Sequence, residues 1–191
     1  MSSTFLENPQ TFLDFFPPPL PEQPRSGNSR YNSAVPMTPF VERFRELGAR
    51  ETRSVTVPDK NELPSGEYGF LELYCNEPNC DCRRVVIMVL RPQTGWKPWA
   101  VINYGWESQK FYRKWAKVPA SDRSEWQGPE LDPLNIQGRY APALLDLFKW
   151  VLESPGYVER LKKHYQLFRE AVDMEYARGK PRYPEGQRRA K

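Results

Sequence analysis

The chain has 191 residues, 39% of them hydrophobic and 14% aromatic, at a mean hydropathy of -0.76, which suits one domain with a tail at each end. Its net charge of +4 is concentrated at the end, where Arg178, Lys180, Arg182, Arg188, Arg189 and Lys191 face Glu185 alone, so the body is close to neutral. No run approaches the roughly 18 apolar residues of a membrane span, and Met1-Ser2-Ser3-Thr4-Phe5-Leu6-Glu7 lacks the basic start and apolar run of a signal peptide, so a cytoplasmic protein with no membrane partner is expected.

Residues 1–36 carry Pro9, Pro17, Pro18, Pro19, Pro21, Pro24 and Pro36, too many for a period of 2 or 3.6 to survive. A disordered Pro-rich arm is expected there. Pro18-Pro19-Leu20-Pro21 matches P-x-x-P, for which the rigid-linker reading stands beside a polyproline ligand. Phe5, Phe12, Leu13, Phe15 and Phe16 suggest that part of the arm docks on its own domain or on a partner. A single α+β domain is expected over 37–177, followed by a disordered basic tail over 178–191.

Thr38-Pro39 opens a short helix with Phe40, Phe44 and Leu47 on its buried face and Gly48 at its end. Alternation of Thr52, Ser54 and Thr56 with Val55 and Val57 predicts a strand over about 51–57. Two central strands follow, over about 67–75 and 82–91. The second holds the apolar run Val85-Val86-Ile87-Met88-Val89-Leu90, which fits a strand covered on both faces. Gln93-Thr94-Gly95 turns the chain into another strand near 98–104, and the short connections imply antiparallel order.

A helix over about 107–117 reads as two-sided, with Lys110, Arg113, Lys114 and Lys117 against Phe111, Tyr112 and Trp115. An irregular connector spans Pro129 to Gly138. Two helices end the domain, over about 140–153 and from Ser154-Pro155 to about 176. Val158, Leu161, Tyr165, Phe168 and Val172 stripe the last one, with His164 on the edge of that stripe. The fold class is α+β, a small antiparallel sheet of three to four strands packed against C-terminal helices.

All three cysteines, Cys75, Cys80 and Cys82, fall within eight positions between the two central strands, spaced C-x4-C-x-C. Thiolates gathered so tightly point to a metal, and zinc takes four ligands, for which three cysteines and a histidine form a standard set. His164, the single histidine, is the candidate fourth ligand, with Asp81, another carboxylate or water as substitutes. Arg83 and Arg84 would draw the thiols toward thiolates. Three rivals remain: a redox pair of Cys80 and Cys82, a nucleophilic cysteine served by His164, and a catalytic zinc with an open water. Asp132 and Glu107 are candidate bases for the last.

The segments 67–85, 102–108, 131–135 and 157–165 resemble an uncharacterised bacterial family whose cysteine cluster reads YCxxPxCDCRRV, loosely associated with SEC-C-type zinc-binding motifs. The SEC-C pattern itself pairs C-x-C with Cys-Cys or Cys-His shortly downstream, and nothing of that kind follows Cys82. The resemblance implies metal binding and supplies no activity.

Three functions fit. The first is a structural-zinc binding or adaptor module with an unknown protein partner, presenting Trp96, Trp99, Tyr104, Trp106, Phe111, Tyr112 and Trp115 unless those rings are core. The second is a nucleic-acid binder using the Lys110, Arg113, Lys114 and Lys117 stripe. The third is a zinc enzyme with a three-thiolate site.

Overall fold

The computed structural model describes residues 37–59, 62–95, 97–117 and 126–179. The Pro-rich arm, the tail beyond Gly179 and Trp96 lie outside them. In chain order come β1 (Met37–Pro39), α1 (Phe40–Arg43), α2 (Arg45–Glu51), β2 (Arg53–Val57), β3 (Gly66–Cys75), β4 (Arg84–Leu90) and β5 (Ala100–Gly105). Then follow α3 (Gln109–Ala116), β6 (Gly128–Leu131), α4 (Ala141–Leu152) and α5 (Tyr157–Gly179). The class is α+β, as the sequence implies.

The sheet has six strands rather than three or four, all antiparallel, in the order β1-β3-β4-β5-β6, with β2 also paired to β3. Strand β3, ten residues long, is the spine. Its edge away from β4 takes β2 along Gly66 to Phe70 and then β1 along Leu73 to Cys75. The two strands beyond that expectation, β1 and β6, hide from sequence reading for physical reasons. Strand β1 is three residues ending in Pro39, and β6 contains Pro129 on a sheet edge, where a missing N–H is tolerated.

Alternation sorts β3 into two faces. Tyr68, Phe70 and Tyr74 join Val85, Ile87, Val89, Ala100 and Ile102 in the main core, beneath Leu144, Phe148 and Val151 of α4 and Leu161 and Phe168 of α5. Leu71 and Leu73 join Val86, Leu90 and Val101 in a smaller cluster on the opposite face. Glu72 therefore points into the main core, and it is only 3% exposed. That placement governs what happens to His164.

The expected first helix is in fact two, broken at Phe44, and Thr38 supplies no side-chain cap because it is paired in β1. Gly48 lies inside α2 rather than past its end. A Cβ there would sit 2.9 Å from Val41 Cα, so the residue allows close approach instead of stopping the helix.

Gly105 marks a second close approach. A Cβ would lie 2.1 Å from the Trp126 carbonyl oxygen and 2.6 Å from the Tyr112 hydroxyl, which itself donates to the Arg83 carbonyl at 2.7 Å. Gly105→Ala is expected to cost about 3 kcal/mol, the upper range for overpacking, read as a lower midpoint in denaturant unfolding.

Candidate metal centre

The cysteine loop leaves β3 at Cys75 and re-enters the sheet at Arg84. Asn79 and Arg83 hold left-handed backbone at φ 57° and 45°, which folds the loop back on itself. The amide of Cys80 donates to the Glu77 carbonyl, and the amide of Glu77 donates to Cys75 Sγ at 3.4 Å. The result brings the three sulfurs of Cys75, Cys80 and Cys82 within 4.8 Å of one another. All three are free thiols, Cys75 and Cys82 buried and Cys80 half-buried. Such a group could hold a metal ion; a Cys80–Cys82 disulfide is not formed.

The sulfurs share protons unequally. The Cys82 thiol donates toward Cys75, and with the Glu77 amide and nearby Arg169 it draws the Cys75 thiol down to about 6. Cys80 is lowered as well, again chiefly by Cys82. Cys82 itself is pushed far up, because it is the donor to both neighbours and is buried. Thiolate character at neutral pH thus accumulates on Cys75, which is what a cation requires of a ligand. Arg83 and Arg84, expected to supply the charge, turn elsewhere. Arg83 pairs with Asp81 at 2.8 Å and Glu107 at 3.2 Å, and Arg84 donates to Asn103 Oδ1 at 2.8 Å.

His164 does not join the sulfurs. It is 1% exposed, its Nδ1 is 2.7 Å from Glu72 Oε2, its Nε2 is 3.0 Å from Glu51 Oε2, and its ring stacks on Phe40 at 4.1 Å. Both ring nitrogens are engaged by carboxylates, so ligation by His164 and its use as a base for a cysteine are corrected together. The reason is helical geometry. Tyr165, one residue on and about 100° round the helix, faces the loop instead, where its hydroxyl accepts from the Arg83 amide at 3.2 Å. Among the described residues, no imidazole or carboxylate joins the three-sulfur group.

The residue that sequence reading missed is Arg169. It follows Tyr165 by four, and Asp173 follows it by four, so all three share one stripe of α5. Arg169 Nη1 donates to the carbonyls of Cys75 (3.1 Å) and Glu77 (2.8 Å), and Nη2 donates to Asp173 Oδ1 at 2.6 Å. Asp173 in turn accepts from the Asn79 amide at 2.9 Å. The loop is clipped to the last helix by this arginine. An arginine directly after Phe168 in an apolar stripe was the available signal, since a buried guanidinium needs carbonyl or carboxylate partners. For an ion held by these sulfurs, Arg169→Met would lower affinity about 10- to 100-fold by loosening the loop, as measured by chelator competition.

The other expected site residues lie apart from the sulfurs. Lys110, Lys114 and Lys117 are exposed along α3, Arg113 is half-buried, and Lys117 ends the helix in left-handed conformation. Helix α3 touches the loop's exit through Tyr112 and through Phe111, over which Arg83 sits at 4.7 Å. Of the aromatic surface that was a candidate for partners, Tyr112 is buried, and Trp99, Tyr104, Trp106 and Trp115 pack against the main core. Asp132 is spent on its own loop and Glu107 on Arg83.

Fold and site together define an α+β protein with a three-thiol group at one end of its sheet. Comparison of the chain with protein-family models, with curated proteins and with solved structures gives no match. Among the described residues no helix is long and apolar enough to cross a membrane.

Proposed function

We propose that the protein is a zinc-binding module in which Cys75, Cys80 and Cys82 hold a structural ion and the folded domain serves as a binding or adaptor unit. The observation that carries this reading is three unbridged sulfurs within 4.8 Å, on a loop with its own arginine clip. Thiolates select zinc among abundant divalent ions, and a group rich in sulfur favours a structural over a catalytic role. The ion would neutralise thiolates that otherwise repel one another in a largely buried setting. The fourth ligand comes from outside the described side chains, as water or a donor from a partner. The same reading places the chain beside the bacterial family with SEC-C-type motifs and in the reducing cytoplasm, where clustered thiols stay open for metal.

Protein purified without added metal is to be assayed by elemental analysis. The reading predicts about one zinc per chain, lost on Cys75→Ser or Cys82→Ser and retained in His164→Ala. Metal-free, fully folded protein that takes up no zinc would overturn it.

A further inference from the structure

The most exposed large apolar side chains among the described residues are Leu134 and Ile136, at 76% and 94%. They do not sit on a slack loop. Asp132 Oδ1 accepts from the amides of Leu134 (2.7 Å) and Asn135 (3.1 Å) and from Asn135 Nδ2 (3.0 Å), while Oδ2 accepts from Asn103 Nδ2 at 2.8 Å. Gln137 pairs with Val101 like a strand residue, its Oε1 accepting from the amide and its Nε2 donating to the carbonyl, and the Gly138 amide donates to the Trp99 carbonyl. A buried carboxylate and a side-chain amide thus hold two aliphatic groups out in water. A segment preordered in that way loses little entropy on docking.

The same chain also carries an apolar cavity of side-chain size. A cavity of about 290 Å³ opens between β2 and α4, walled by Val55, Val57, Leu63, Ala143, Leu147 and Trp150, with the exposed acids Glu62 and Asp146 also lining it. Arg139, exposed beside the apolar finger, has the opposite sign, although Asp146 is already 2.8 Å from Lys149. The finger stands outside its own cavity, both side chains in solvent. It is pinned to β5, which lies three strands from β2, on the order of 14 Å at about 4.8 Å per strand.

We propose that the protein self-associates head to tail, the Leu134/Ile136 finger of one copy seating in the β2–α4 cavity of the next. The contact is heterologous, so it propagates or closes into a ring rather than stopping at a two-fold dimer. It gives the binding module a partner chemistry, a second copy of itself, and stands whether or not the sulfurs hold zinc.

Sedimentation velocity on the full chain tests this. Mass should rise with concentration, and the double variant Leu134→Ser/Ile136→Ser should weaken association at least about tenfold, since two aliphatic groups leave water at the contact. Ala143→Trp, which fills the cavity, should do the same, with Glu62→Arg as a milder surface variant if the larger ring disturbs folding by circular dichroism. Mixing the finger variant with a cavity variant should form one-to-one pairs, because each retains one intact half. A wild-type chain that stays monomeric at every concentration, an unaffected finger variant, or a mixture that fails to pair would each overturn the proposal.

Discussion

Replacing His164 by alanine is expected to destabilise the protein by about 3–5 kcal/mol without changing its metal content. The ring is enclosed by Phe40, Glu72 and Glu51, and Glu72 Oε2 also lies 2.8 Å from the Tyr74 hydroxyl. Each ring nitrogen faces one carboxylate oxygen, so the imidazole is the shared polar partner of two acids. Among the described residues, removing it leaves Tyr74 as the side-chain partner of the buried Glu72 carboxylate, whose Oε1 has no hydrogen-bond partner there. A native stability of roughly 5–15 kcal/mol can lose that much and become marginal. Urea unfolding reads the loss. Stability close to wild type would show that the Glu51–His164–Glu72 line bears little weight.

The same line has a pH signature. Burial raises the Glu51 carboxyl, but the hydrogen bond and charge of His164, with Arg160 and Lys163, outweigh it and hold Glu51 below its ordinary value of 4.5. A depressed carboxylate contributes stability above its unfolded value, and that contribution is lost as pH falls through the folded one. Unfolding midpoints should therefore drop on acidification below about 4.5, and Glu51→Gln should flatten that part of the profile.

Stripping the proposed zinc is the second large effect. Cys75 and Cys82 belong to the main core cluster and are buried, so an emptied thiol group is enclosed by core rather than bathed in solvent. The proposed zinc would be bound only by the folded loop, and its binding energy then adds directly to stability. A strong thiol-competing chelator is expected to lower Tm by on the order of 10 °C, the counterpart of several kcal/mol in a chain of this size. Readdition of zinc should restore it. Cys82→Ser should show the lowered Tm from the start and no further response to chelator. A wild-type Tm that ignores the chelator while zinc is lost would assign the ion no structural weight.

What the chain determined by itself was local. The run from Val85 to Leu90, the alternation around Val55 and the stripes of the last two helices follow from short-range pattern, and they became β4, β2, α4 and α5. Eight positions of sequence were enough to bring three sulfurs together, because a loop that short can hardly keep them apart. Tertiary structure decided everything that depends on which side of an element a residue lands. Rotation of one residue along α5 sent His164 to two glutamates and gave the loop to Tyr165 and Arg169. The period of β3 drove Glu72 inward to meet that histidine. Neither outcome is written in spacing alone, since a helix face has meaning only once a sheet, with its own register, is laid against it.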